Sequence, residues 1–280
     1  MKSRTKTFIL FLGLSLCFCH GAENLIRNGE TLSGEASVPG LELTASGPHG
    51  VQCYAVPQAR KMYMGPDFIE IDPNGEYEFS AEICGNGKDA NRANIGLAMY
   101  DEKKGLIPHS TVDCIPGSEA VTAEPVAKGA KVMLLKNAGD WETFVKRGAR
   151  IIAMNAKKDY SDLPNRDLCC FIRKITRKGD LLEVNLSIGA GKAYPANTPV
   201  RLHRDGGYQW SLLEFQIVPG AWKKVSVRIL GTATRGVPRN QFWKTTRYVK
   251  PVINSNMNSA LFIRNLSLTK LEQIPEGKAK

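Results

Sequence analysis

The sequence lacks the short motifs on which common enzyme classes depend, and it has few histidines. It contains 4 histidines in 280 residues, and three of them, His49, His109 and His203, lie in unrelated segments. No HExxH zinc-protease motif, GxSxG nucleophile motif, GxxxxGK[ST] phosphate loop or GxGxxG dinucleotide motif occurs. We therefore predict a protein without enzymatic activity and assign no catalytic residue. A glycan-active hydrolase stays open as an alternative, because its paired carboxylates would leave no local pattern.

Cysteine pairs with metal-ligand spacing are also lacking, so no structural zinc site is expected. Five cysteines follow residue 22, and these are Cys53, Cys84, Cys114, Cys169 and Cys170. An odd number leaves at least one thiol without a partner inside the chain, and the sequence leaves the disulfide pairing open. We favour buried thiols that act as small hydrophobic groups.

Long apolar runs are absent beyond the first 22 residues. Three basic residues, Lys2, Arg4 and Lys6, precede an apolar run of about 12 residues that ends at Cys19, which is too short for the ~20 residues of a membrane-spanning helix. This order predicts a secretory signal peptide over 1–22 and no transmembrane segment. We expect an exported protein that is periplasmic, cell-surface or extracellular. Lipid anchoring at Cys17 or Cys19 is a minor alternative, because bulky residues precede both.

The chain is basic, but the positive charge is concentrated in one region. Lys and Arg number 38 and Asp and Glu 27, which gives a net charge of +11. Removal of 1–22 leaves +8, and the 13 basic and 8 acidic residues of 139–211 supply +5 of that. Nucleic acid is not an expected partner, because the protein is predicted to be exported and no nucleic-acid-binding motif is present.

Alternating apolar and polar residues predict an all-β protein. The clearest example is Glu76–Ile83, where Tyr77, Phe79, Ala81 and Ile83 alternate with polar residues after the turn Asp72–Gly75. Further strands are predicted at 40–44, 51–56, 67–71, 94–100, 150–155, 168–175, 181–186, 200–203, 222–230, 247–253 and 260–268. We predict a two-sheet antiparallel β-sandwich interrupted by a small β-rich insertion.

The predicted division of the chain follows these strands. Residues 23–138 and 212–272 form the discontinuous sandwich, 139–211 form the inserted β-rich subdomain, and 273–280 form a polar tail. Within the insertion, Asp159–Asp162 is either a calcium ligand loop or, the more favoured interpretation, an Asx-type turn.

Several segments resemble a known family. The start Glu23–Gly29, the strand-turn-strand Phe68–Ile83, the strand Ile95–Asp101 with its Lys103–Gly105 turn, and the closing segments Thr246–Val249 and Leu261–Leu266 are similar to the galactose-binding-like jelly roll of bacterial carbohydrate-binding modules. The resemblance implies that the fold is an antiparallel jelly-roll β-sandwich, and the insertion is similar to small β-barrel-like inserts of exported bacterial proteins. It also implies recognition of a polysaccharide or cell-surface glycan. Many of these folds carry a structural calcium, although Arg264 and Asn265 stand here where similar modules have an acidic pair.

The aromatic and polar groups that such a ligand needs give the candidate site. Aromatic faces pack against pyranose rings, and polar side chains bind the hydroxyl groups. The candidates are Tyr54, Tyr63, Trp243 and Arg247, with packing of the aromatic residues in the sandwich core as the alternative.

A basic patch for an acidic polysaccharide or an envelope surface is the other candidate region. Its members are Arg150, Lys157, Lys158, Arg173, Lys174, Arg177 and Lys178, with a solvated charged surface as the alternative. A structural or adhesive envelope protein without sugar affinity is the alternative function.

Overall fold

The computed structural model describes residues 23–29, 38–56, 61–86, 91–206, 210–217, 220–255 and 260–272. The predicted signal peptide at 1–22 and the predicted tail at 273–280 lie outside these residues. Strands make up 46% of the described residues and helices 6%, and the strand pairs are antiparallel, so the all-β prediction is confirmed. None of the helices in the described ranges has the length and apolarity that a membrane crossing requires.

The elements are numbered in chain order. The strands up to residue 136 are β1 Glu42–Thr44, β2 Cys53–Val56, β3 Lys61–Met64, β4 Ile69–Glu70, β5 Glu76–Asn86, β6 Asn91–Tyr100, β7 Ala120–Thr122 and β8 Val132–Lys136. The later strands are β9 Ala149–Met154, β10 Leu168–Cys170, β11 Ile172–Lys178, β12 Leu181–Leu186, β13 Pro199–Arg204, β14 Trp210–Ile217, β15 Lys223–Leu230, β16 Tyr248–Ser255 and β17 Ala260–Leu271. Two short helices are α1 His109–Val112 and α2 Trp141–Lys146.

Two sheets form the sandwich. The first has the order β1-β2-β17-β5-β15 and the second β14-β6-β16-β3, with β4 also paired to β16. The alternation in β5 turns Tyr77, Phe79, Ala81 and Ile83 inward, where each is at most 1% exposed. They share one hydrophobic core with inward residues of β6 and β16, because each sheet has one apolar face to bury.

The third sheet has its own core. Its strand order is β10-β9-β13-β7-β8-β12-β11, and the fully buried Trp141 lies in its core, with the indole Nε1 donating a hydrogen bond to the Ser118 carbonyl at 2.9 Å. β10 and β11 are the first and last strands in this order, and Phe171 is the single residue between them in the chain. One continuous segment therefore supplies both end strands of the sheet. The barrel-like form of the insertion stays a prediction.

The third sheet extends beyond the predicted insertion limits at its N-terminal side. β7 and β8 precede residue 139, yet β8 pairs with β12 and β7 pairs with β13. β14, which begins at Trp210, pairs with β6 of the sandwich. The ladder of the third sheet therefore runs from 120 to 204, and the domain division itself stays a prediction.

A buried polar network joins the third sheet to the sandwich. The side chain of Arg201 on β13 is 0% exposed and donates to the Asp162 carboxylate at 2.8 Å and to His203 Nε2 at 3.3 Å. Tyr160 lies between two guanidinium groups, with Arg201 at 5.0 Å and Arg235 of the sandwich at 4.8 Å from its ring centroid. These contacts hold the 157–165 loop against the sandwich loop that contains Arg235.

Candidate functional site

A polar cleft of about 840 Å³ lies where the sandwich loops meet the loop that precedes β10. Its volume falls within the roughly 300–1,000 Å³ that small-molecule sites occupy. The polar side chains of its lining include Asp101, Glu102, Lys103, Arg166, Thr245 and Arg247. Arg166 comes from the third-sheet region and the others come from the sandwich, so both parts of the chain build the site.

The turn after β6 fixes the first wall of the cleft. Asp101 Oδ1 accepts hydrogen bonds from the backbone N–H of Lys103 at 3.0 Å and of Gly105 at 2.8 Å. A Cβ atom on Gly105 would lie 2.9 Å from Asp101 Oδ2, so glycine lets the turn close tightly around the carboxylate. The Asp101 side chain is therefore held in one position at the edge of the cleft.

Two guanidinium groups complete the polar lining. Arg166 Nη2 donates to Asp101 Oδ2 at 3.1 Å and to the Leu106 carbonyl at 2.9 Å. Arg247 Nη2 donates to Glu70 Oε1 at 2.6 Å. The Arg166 side chain is 51% exposed and that of Arg247 is 40% exposed. Since a guanidinium carries five N–H donors, each group is oriented by its carboxylate and keeps donors for a ligand.

The chemistry of the cleft suits hydroxyl-rich ligands. The Asp101 carboxylate offers acceptor sites, Arg166 and Arg247 offer donors, and the exposed Thr245 hydroxyl can do both. Exposed Glu102 and Lys103 form no ion pair in the described part of the chain.

The four residues predicted for sugar binding are not brought together. Tyr54 is 2% exposed, Tyr63 4% and Trp243 1%, and all three belong to the sandwich core. Arg247 alone among the four lines the cleft. As core residues these three aromatic rings present no open face to a pyranose. Their position fits the alternative given above, in which they pack in the sandwich core and do not bind a sugar.

Local structure explains the position of two of these rings. The segment that contains Tyr63 is strand β3, which pairs with β16 and turns Tyr63 toward the core. Trp243 packs edge to face against His109, with ring centroids 5.8 Å apart. Burial of a large apolar ring between layers stabilises the sandwich more than exposure in a loop would.

The members of the predicted basic patch lie in three segments of the chain. Lys157 and Lys158 lie in the loop after β9, whereas Arg150 lies at the start of β9, a strand roughly 17 Å long. The remaining members all lie on β11, and they are Arg173, Lys174, Arg177 and Lys178.

Two of the basic side chains are paired. Arg177 contacts the Glu142 carboxylate at 2.6 Å, and Lys178 pairs with Glu183. Hydrogen bonding to Glu142 raises the pKa of Arg177. Arg173 and Lys174 are exposed and form no ion pair within the described ranges.

The described cysteine side chains are buried, and they are Cys53, Cys84, Cys114 and Cys169. Burial raises the pKa of Cys53, Cys84 and Cys114, so these thiols stay protonated and unreactive at neutral pH. The side chain of Cys170 lies outside the description.

The Asp159–Asp162 segment has the contacts of a polar turn. Asp159 Oδ1 accepts the Ser161 backbone N–H at 3.0 Å, and Asp162 Oδ2 accepts hydrogen bonds from Arg201 and Asn165. No group of three or more His, Cys, Asp or Glu side chains that could hold a metal ion occurs in the described portions of the chain.

Sequence reasoning did not single out Asp101, Lys103 or Arg166 as ligand-binding residues. The spacing of an aspartate followed four residues later by glycine, Asp101 to Gly105, marks a turn and could have pointed to the first wall. Arg166 has no such signal, because it reaches Asp101 across 65 residues of chain.

No protein-family model matches this chain, and no curated protein matches it. The resemblance to galactose-binding-like jelly rolls therefore stays a prediction.

Proposed function

We propose that the protein is an exported, non-catalytic carbohydrate-binding protein that holds a poly- or oligosaccharide in the polar cleft. The observation that supports this most directly is the cleft of about 840 Å³, which is lined by the Asp101–Arg166 pair and by Arg247, a side chain that Glu70 orients from outside the lining. Saccharide hydroxyls both donate and accept hydrogen bonds, so carboxylates and guanidinium groups fixed side by side match them. The jelly-roll resemblance agrees with this ligand class by analogy alone.

Affinity electrophoresis through gels that contain neutral or acidic polysaccharides tests the proposal. Arg166→Ala and Arg247→Ala should each weaken retention about tenfold or more, because hydrogen bonds that involve a charged group contribute roughly 1.5–3 kcal/mol. Arg228→Ala is the matched control, since Arg228 is an exposed arginine that pairs with Glu76 on the first sheet. Failure of the unaltered protein to bind any polysaccharide in the panel would contradict the proposal.

A second candidate is an adhesive envelope protein without sugar affinity. It is favoured by Arg150, Arg173 and Lys174, which are exposed on the third sheet without ion pairs in the described part of the chain. This function predicts adsorption to anionic surfaces that disappears by ~0.5 M NaCl, where the screening length is well below ~10 Å. Arg173→Ala with Lys174→Ala should reduce that adsorption and leave cleft-dependent retention unchanged.

A further inference from the structure

A cluster of three aromatic rings lies on the outer face of the second sheet, beside the cleft. The rings of Phe68 and Tyr100 pack edge to face with centroids 4.9 Å apart, and those of Phe68 and Tyr248 do so at 6.1 Å. Tyr100 and Tyr248 are directly opposite each other on β6 and β16. Their chain neighbours Met99 and Val249 face the core, so alternation places the tyrosines on the outer face. All three rings are partly exposed.

Two lysines converge on these rings. Lys250 Nζ lies 4.1 Å from the Phe68 centroid, and Lys104 Nζ lies 5.0 Å from the same centroid and 5.4 Å from that of Tyr248. Cation–π attraction supports each ammonium group. Neither lysine forms an ion pair within the described ranges, although Lys250 Nζ donates to the Pro66 carbonyl at 2.6 Å. Both ammonium groups lie within about 5 Å of the Phe68 centroid, so an anion that reaches both of them gains from two positive charges.

The carboxylate next to this cluster is already neutralised. Glu70 is directly opposite Tyr248 in the sheet, but its carboxylate pairs with Arg247 at 2.6 Å. The charge of Glu70 is therefore compensated where an incoming anion would meet Lys104 and Lys250.

The cluster is continuous with the cleft. The turn that presents Asp101 and Lys103 to the cleft presents Lys104 to the rings, and Lys104 is fixed there with φ of 59° and its N–H bonded to the Asp101 carbonyl at 2.9 Å. On the neighbouring strand, Arg247 lines the cleft and Tyr248 belongs to the cluster. A ligand chain that leaves the cleft on this side passes over the aromatic cluster.

We propose that the ligand is an acidic polysaccharide, and that a sulfate or carboxylate group on it binds between Lys104 and Lys250. This inference rests on the proposed carbohydrate-binding function, since the cleft holds the sugar chain and the lysine pair holds its charge. The exposed parts of Phe68 and Tyr248 supply apolar contact for the sugar ring that carries the anion.

The test compares retention of the full chain on neutral, uronate-containing and sulfated polysaccharides at low and high salt. Lys104→Met and Lys250→Met remove the charge and keep an unbranched apolar stem over the rings. Each should weaken retention on acidic polysaccharide about three- to tenfold and reduce its salt dependence, with retention on neutral polysaccharide unchanged. Preference between the uronate and sulfated gels identifies the anion. Lys174→Met on the third sheet is the control and should change nothing.

Arginine variants distinguish loss of charge from loss of structure. Lys104→Arg and Lys250→Arg keep the positive charge, so they should retain acidic polysaccharide within about twofold of the unaltered protein. If the methionine variants bind acidic polysaccharide normally while Arg247→Ala does not, sugar binding stands and the role of the lysine pair is wrong. If Lys174→Met alone weakens retention, the basic third sheet is the anion site and the inference is also wrong. If no polysaccharide of any kind is retained, the proposed function and this inference fail together.

Discussion

Protonation of His203 should destabilise the folded protein at mildly acidic pH. The imidazole is fully buried, its Nδ1 donates to the Ser110 carbonyl at 2.7 Å, and its Nε2 accepts from Arg201 at 3.3 Å. This arrangement requires the neutral ring. Burial is the main cause that lowers the pKa of His203 to about 4, and the Arg201 charge acts in the same direction against the hydrogen bond to Ser110.

The size and direction of the effect follow from proton linkage. The unfolded chain takes up this proton near pH 6.5, whereas the folded protein takes it up only near pH 4. Above pH 6.5 the ring is neutral in both states and does not reduce the free energy of unfolding. The free energy of unfolding falls as the pH drops from 6.5 to about 4, because only the unfolded chain takes up the proton in this range. At ~1.4 kcal/mol per pH unit, the loss between pH 7 and pH 5 is about 2 kcal/mol.

Urea unfolding at pH 7 and at pH 5 measures this loss. His203→Gln keeps an acceptor for Arg201 but cannot be protonated, so the fall in unfolding free energy between the two pH values should shrink by about 2 kcal/mol. Burial also lowers the pKa of His109, so His109→Gln is the comparison and should leave the contribution of His203 intact. An unchanged pH dependence in His203→Gln would refute the reasoning.

Three further predictions follow from burial and from the turn beside the cleft. Arg201→Met should lower the free energy of unfolding by about 3–5 kcal/mol, because it leaves the Asp162 carboxylate buried without its guanidinium partner. Arg177→Met removes an exposed ion pair and should lower the free energy of unfolding by less than ~1 kcal/mol. Urea unfolding at pH 7 measures both changes. Gly105→Ala should weaken polysaccharide retention several-fold and lower the unfolding free energy by about 1–2 kcal/mol, because the new methyl group displaces the Asp101 carboxylate; normal retention would show that this turn does not position the site. A maleimide reagent should modify the buried thiols only after urea is added, and these are Cys53, Cys84, Cys114 and Cys169. Peptide mapping by mass spectrometry detects the modification. Modification of these thiols in the native protein would contradict their burial.

Strand alternation predicted much of the fold because most strands have one buried and one solvated face. Leu181–Leu186 begins and ends in the structure where the sequence placed it, and Glu76–Ile83 lies within the longer β5. β7 escaped prediction because three residues are too few to display a period. β3 escaped because Lys61–Met64 has no simple alternation, and its pairing with β16 depends on residues far along the chain.

The site was harder to predict than the fold. Trp243 follows a segment rich in glycine, proline and asparagine, which favours a loop, yet its ring packs against His109 and is buried in the sandwich core. The cleft depends on Asp101 meeting Arg166 and on Glu70 meeting Arg247. Neither contact has a local sequence pattern, since long-range packing alone brings these side chains together.

The position of β17 in the first sheet sets the order in which the chain can complete its structure during synthesis. β17 lies between β2 and β5, although it is the last of the described strands to be made, and Asn24 near the start of the described chain donates to its Leu266 carbonyl. The ladder of the third sheet is complete once residue 204 has emerged, whereas the first sheet has a gap at its centre until Leu271 follows. A nascent chain that stops before residue 260 therefore has two separate halves of a sheet with unpaired edges, which is the form most exposed to proteolysis and aggregation.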